Sequence, residues 1–541
     1  MVEVFRRIAR LLLILLLAGL VLQQQAAPTY GYARKKTSKR RNRKKPSKRR
    51  KKPPKPKLPP IKTPEQKLRL LRSIGASMPS RKVGGQIYFT SETLDKGLQV
   101  QIGLSASRFA KVIGDAAFAR RVYLDLNGRP PKQSELDRFV SSAGRHKRAK
   151  LIETLLDGDE YARKWGRFWQ TILFYNSDAN KNRVNRKALE DWLTKKIKDN
   201  AGWDEITAEL ISATGKNKDN GPDNFNLANG NKPEKLASET ARVFMGISIQ
   251  CAQCHDHPFD RWKRRQFHEL AAFFARGKYY MKGKKDPTQK TLIKSRFLLG
   301  ETPPDYLNAD YRRVAVAAYL IYNPKNYWFA RAYVNRIWNE LLGDGFYSVD
   351  SLGPDSEVVH KIVVNRLAAM FRYRNFNTKW LFRTIMNSRT YQRDIRTIES
   401  QTDLFTAVRP SRLRSNQVSA SVGQVLGAKF ADRTIITTFK TDPSIPQRDL
   451  EGSIQQALLM MNSRTIGAGI RSGPLKKQLL KIRDSNKLIT TAFRQILARQ
   501  PTRRELVRYT GYLRRHGKNR AAAIEDVVWI LLNSTEFITK R

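Results

Sequence analysis

Apolar residues along this chain recur mostly at intervals of three and four, the spacing that lines one face of an α-helix. Phe329, Tyr333, Val334, Ile337, Trp338, Leu341 and Leu342 form such a stripe, and Gly343 stands where a C-terminal cap belongs. Phe267, Leu270, Ala271 and Phe274 form another, closed by Gly277, and Leu236, Thr240, Val243, Phe244 and Ile247 precede it. Trp165, Phe168 and Trp169 share helical spacing too, which predicts core packing rather than a sugar-binding platform. Strand-like runs are short: Gln86 to Thr90, and Phe297 to Leu299. The expected fold class is mainly α, with two helical domains and few short strands after a signal peptide and a disordered basic leader.

The irregular stretch from Tyr279 to Leu307 carries Gly and Pro and marks a boundary between the domains. The expected organisation is a signal peptide at 1–33, the leader at 34–62, a transitional segment at 63–102 with helical spacing at Leu68, Leu70 and Leu71, a first helical domain at 103–285 and a second at 286–541. One internal echo links the two domains. Phe118 to Leu136 contains Arg129-Pro130-Pro131 and Glu135-Leu136, and Phe493 to Leu506 contains Arg499-Gln500-Pro501 and Glu505-Leu506. Both read as helix, proline turn, helix, and Thr502 with Glu505 makes a capping box, so a structural reason suffices for the likeness.

Charge changes the picture at the N-terminus. Arg6, Arg7 and Arg10 precede an apolar run from Leu11 to Leu22, with small residues near Ala26 and Ala33, which is a signal-peptide profile. Twelve apolar residues are fewer than the roughly 20 a spanning helix needs, so no transmembrane span is expected in the mature chain. Export to the periplasm or cell envelope follows. Arg34 to Lys57 then holds sixteen Lys or Arg in twenty-four residues and no acid. Such a segment cannot bury a core, and it predicts an extended polycation that contacts an anionic polymer or envelope surface. Nucleic acid is disfavoured as that polymer because an exported chain rarely meets it. The formal charge is +56, and the rest of the chain keeps +40 of it, scattered over amphipathic segments rather than gathered in a groove.

Candidate chemistry gathers at one place. Cys251 and Cys254, the only cysteines, fall in Cys251-Ala252-Gln253-Cys254-His255, the CxxCH pattern of c-type haem attachment. In that reading both thiols become thioether anchors and His255 an axial iron ligand, giving a redox role and a redox partner protein. A second reading is a zinc or other divalent metal site, because the run continues Asp256, His257, Pro258, Phe259, Asp260 and offers His255, His257, Asp256 and Asp260 as ligands. A third is a CxxC disulfide in a non-catalytic surface or adhesion scaffold. His257 fits a ligand, a distal proton donor, or an imidazole satisfied by its neighbours, with Asp256 and Asp260 as the acceptors that would orient it. Met245, Met281 and His268 are candidates for a sixth iron ligand. Arg120 with Asp125 and Arg336 with Asn335 read equally as site residues or as ion pairs and caps. The chain has no Walker-type loop, nucleophile elbow or His-Glu-x-x-His helix, so catalytic residues and any reaction stay unassigned.

Phe118 to Pro131, Tyr161-Ala-Arg-Lys-Trp165, Cys251 to Asp260, Asn335-Arg-Ile-Trp338, Asn387 to Gln392 and Val528 to Phe537, in that order, resemble exported planctomycete proteins. These pair a cytochrome-c-like (PSCyt-type) domain of unknown function with a second (PSD-type) domain of unknown function. The resemblance covers nearly all of residues 110 to 541 and implies an exported, largely helical protein with a haem motif. It also implies, by analogy, a part in polysaccharide processing. It argues against a small electron-carrier fold, whose CxxCH lies near the start of a compact domain. Two positions depart from the family pattern: Lys132 stands where Thr or Ser is usual, and Asn416 where an acid is usual.

Overall fold

The computed structural model describes residues 58–540, apart from 62, 79–88, 104–108, 176–182, 284–285, 287, 351–356, 396–404, 428–432, 444 and 446. The expected signal peptide, nearly all of the basic leader and most of the run Gln86 to Thr90 lie outside the described residues. The fold is mainly α, as the apolar spacing predicts. Among the described residues, strand ladders are limited to two antiparallel pairs: Tyr279–Lys282 with Lys290–Ile293, and Ser411–Arg412 with Thr539–Lys540. No described helix is long and apolar enough to cross a membrane.

The helices begin and end where local chemistry allows. Thr63 caps Pro64–Ala76 in a full capping box, with Pro64 in the first turn. Trp328–Leu342 stops at Gly343, whose φ of 84° is left-handed and whose N–H reaches the Asn339 carbonyl. A Cβ at Gly343 would also sit 2.7 Å from the Arg409 carbonyl, so the position needs glycine twice over. Two expectations are corrected. The helix carrying Phe267 and Leu270 ends at Ala271, not near Gly277. Phe297 to Leu299 is not a strand: Phe297 and Leu298 are both buried, and the chain enters a turn at Leu298.

Apolar burial organises the chain into two clusters. The larger is drawn from Leu71 to Val408 together with Ala498, and the smaller mainly from Leu413 to Phe537. The larger cluster draws on residues both before and after the expected domain boundary. Tyr333 stacks on Trp169 at 5.3 Å and tilts against Trp203 at 4.8 Å, joining helices Asp159–Leu173, Trp203–Ser212 and Trp328–Leu342. Residues Pro56–Arg541 form one compact unit. Trp165, Phe168 and Trp169 all belong to this core.

The internal echo is a repeated device. Arg129 follows helix Asp115–Leu126 and Arg499 follows helix Ser485–Leu497. Arg129 donates Nε to Glu160 Oε1, Nη1 to the Pro130 carbonyl and to Glu135 Oε2, and Nη2 to Glu135 Oε1 and Glu160 Oε2. Arg499 makes the same five bonds, atom for atom, to Glu536, the Gln500 carbonyl and Glu505. Each guanidinium also lies over an aromatic ring six residues earlier, Tyr123 at 5.4 Å or Phe493 at 5.2 Å.

Candidate functional site

The CxxCH segment is exposed because the helix before it is forced to stop. Pro233–Thr240 widens into a π-turn at Ala241–Met245 and breaks at Gly246, whose φ is 66°. A Cβ there would meet Ala332 Cβ at 3.2 Å, so close packing against the Trp328–Leu342 helix also selects glycine. Buried Ile247 and Ile249 lead into a 3-10 turn at Gln250–Gln253. Ala252 is fully buried and anchors this turn, while Cys251 and Cys254 on either side are exposed and unpaired. Farther on, buried Trp262 ties the loop down, its carbonyl accepting from the His257 amide at 2.8 Å. Helix Arg264–Ala271 follows, so the motif lies between two helices as the spacing predicts.

The polar groups of the motif have specific partners. His255 Nδ1 lies 2.7 Å from the Asp256 carbonyl. A carbonyl only accepts, so Nδ1 carries the hydrogen, and in the neutral ring Nε2 keeps the lone pair, with no hydrogen-bond partner among the described residues. His257 Nδ1 accepts from the Phe259 amide at 3.3 Å. Asp256 Oδ1 accepts from the Arg264 amide at 2.9 Å and Asp260 Oδ1 from the Arg261 amide at 2.7 Å. The group that orients His255 is thus the backbone carbonyl of Asp256. Among the described residues no three His, Cys, Asp or Glu side chains converge as a ligand set.

Behind the turn is a second set of residues. His268 is buried, with Nε2 3.0 Å from the Gln253 carbonyl and Nδ1 2.7 Å from Tyr279 Oη. Tyr279 donates to Glu234 Oε1 at 2.8 Å. Burial lowers the His268 pKa, opposed by its bond to Gln253, and burial with the Glu234 bond raises that of Tyr279. Arg264 braces the same turn, donating Nη2 to the Lys282 carbonyl at 2.5 Å and Nε to the Gln253 carbonyl at 3.4 Å. Both ring nitrogens of His268 are engaged and Met245 is fully buried, while Met281 is half-buried against the core. The sequence pointed to neither Glu234 nor Tyr279. Residues 234, 268 and 279 share no motif, and only the packing of Pro233–Thr240 and the Tyr279 strand around Arg264–Ala271 joins them.

A buried ionic cluster lies elsewhere in the fold. Asp125 accepts from Lys540 Nζ at 3.0 Å and from Tyr391 Oη at 2.7 Å, and Lys540 also donates to the Glu340 and Leu341 carbonyls at 2.6 and 2.9 Å. Glu340 accepts from Arg414 and from Gln447. Beside them, burial pushes Lys164 down to about 7 against the opposing fields of Glu340 and Asp125. Arg120 donates to the carbonyls of Glu536 and Phe537, and Arg336 pairs with Asp350 while Asn335 holds the Tyr347 carbonyl and Phe346 amide. Through these contacts Arg120 and Arg336 tie separate segments of the chain together.

Residues 94–279 match the family model PSCyt2 and residues 312–429 match PSD1, each described as a protein of unknown function. The chain belongs to the PSCyt2–PSD1 family. Its PSCyt2 region holds the CxxCH turn together with Glu234, His268 and Tyr279. Its PSD1 region supplies Trp328–Leu342, the helix against which the Gly246 break packs. No curated protein and no solved structure matches the chain.

Proposed function

We propose that this PSCyt2–PSD1 protein is an exported envelope protein that carries covalent c-type haem, which Cys251 and Cys254 would hold as thioether anchors and His255 Nε2 would ligate. The observation that carries this reading is the pinned tautomer of His255. Asp256 holds the hydrogen on Nδ1, which leaves the ligating lone pair free beside two exposed thiols on one turn. The donor set fits such a group, and Phe259, 92% exposed nearby in sequence, offers apolar surface for a flat ring to cover. When bound, the group would supply one-electron chemistry or the binding of oxygen or peroxide. The chain's own part is to fix the turn through Ala252, orient His255, and present both thiols to solvent. The signal-peptide profile supports export, and the polycation at 34–57 supports contact with an anionic polymer at the envelope.

The test is the absorption spectrum of the protein produced with a c-type haem maturation system, with elemental analysis of the same sample. The expected result is a haem spectrum at about one iron per chain, as one CxxCH implies, and its loss in Cys254→Ser with helicity retained. A folded, haem-free protein from a system that loads a control cytochrome would overturn the reading.

A further inference from the structure

The hydrogens of the Glu234, Tyr279 and His268 chain can be counted. Nε2 of His268 faces a carbonyl, so it carries one. If His268 were neutral and Glu234 ionised, the single Tyr279 hydrogen would have to serve both Nδ1 at 2.7 Å and Oε1 at 2.8 Å. One of these contacts would then set lone pair against lone pair. Both bonds form together only when the chain holds one more proton, either on His268 Nδ1 or on Glu234. The two arrangements interconvert without change of atoms or net charge. Glu234 passes its hydrogen to Tyr279 Oη while the Tyr279 hydrogen moves to His268 Nδ1, leaving a carboxylate and an imidazolium.

We propose that Glu234, Tyr279 and His268 form a proton relay that serves the CxxCH turn, with His268 as a positioning residue acting through the Gln253 carbonyl. Glu234 is half-buried and gives the relay access to solvent, whereas His268 and Tyr279 are buried. The groups facing His268 are Glu234 from helix Pro233–Thr240, Tyr279 from the hairpin, the Gln253 carbonyl from the turn, and Arg264 on its own helix. Burial and Arg264 oppose a charge on His268, and Glu234 favours it. When the extra proton leaves, Tyr279 can satisfy only one neighbour, and the bond from Nε2 to the Gln253 carbonyl stays but loses its charge assistance. That bond polarises the peptide joining Gln253 to Cys254, so protonation reaches the second thiol-bearing residue directly. The proposal rests on the Cys251–His255 turn being the working site.

The experiment follows the ring nitrogens of His268 and the amide nitrogen of Cys254 by NMR against pH, on the full chain with both thiols reduced and no haem loaded. Haem attachment therefore plays no part in the outcome. In the wild type the two signals are expected to titrate together with one midpoint. Glu234→Gln keeps the shape but removes the carboxylate, and both midpoints should fall by about one pH unit or more. In a Tyr279→Phe background, Glu234→Gln should move the His268 midpoint less than it does in the wild type, because only the through-space field of Glu234 is left to lose. A Cys254 amide that does not follow the His268 ring, or a midpoint unmoved in a folded Glu234→Gln protein, would overturn the relay. If Tyr279→Phe does not fold, the isosteric Glu234→Gln variant decides.

Discussion

Ala252 shows how little side chain is needed to aim a reactive pair. Its methyl group is buried, and the 3-10 turn it anchors turns the flanking thiols outward. At the scale of single residues the sequence displayed donor types but not their partners. Cys251, Cys254 and His255 were legible because two cysteines in so long a chain fell in one pentapeptide. The Asp256 contact was not, because it is made by a backbone carbonyl, which every residue has. Lys164 was equally silent, since nothing in Tyr161 to Trp165 announces an amine held near neutrality. Its folded pKa, about 7, lies below the usual lysine value, so between those pH values the unfolded chain binds more protons and stability rises with pH. Lys164→Met is therefore expected to raise stability at pH 7 by about 1–2 kcal/mol, discounted for its partial exposure. The gain should shrink toward pH 10, as urea unfolding at both pH values will show.

The repeated arginine device belongs to the scale of elements. Its first half could be read from Arg-x-Pro followed by Glu-Leu in both copies, because those residues are close in sequence. Its second half could not, because Glu160 comes from the first turn of helix Asp159–Leu173 and Glu536 from the turn after helix Arg520–Leu532, both distant in sequence from their arginine. Phe297 to Leu299 misled for a related reason: consecutive apolar residues are buried here by a turn, and period alone does not separate that from a strand. Arg129→Ala and Arg499→Ala each strand two carboxylates, for a loss of about 2–4 kcal/mol. Arg129→Ala should cost more, since that side chain is 13% exposed and Arg499 29%. Arg499 bonding holds Glu505 down to about 2. Its folded pKa is below the ordinary value, so this stabilisation is present above about pH 4.5 and lost as pH falls toward 2. Thermal melts from pH 5 to 2.5 should show less acid sensitivity in Arg499→Ala than in the wild type.

For the whole molecule, the matched PSCyt2 and PSD1 regions share an apolar core through Trp169, Trp203 and Tyr333. The mainly helical class was legible from spacing, but this shared packing was not, because an apolar stripe does not name the stripe it will face. Asp125 and Lys540 lock the arrangement, each about 4% exposed. Lys540→Met would leave Asp125 buried without its cation, with an expected loss of about 3–5 kcal/mol. If the shared core makes residues 58–540 cooperative, circular dichroism and tryptophan fluorescence will report one coincident unfolding transition in both proteins. Two separate transitions would contradict that.

The Asp125–Lys540 pair joins positions 415 residues apart. At about 5–20 residues per second, synthesis takes about 20–80 s to deliver the lysine after the aspartate has been made. For that interval the first helices exist with a carboxylate whose partner has not been translated. The buried pair can therefore close only after the whole chain has been made, so the last residues complete a contact that helix Asp115–Leu126 leaves open.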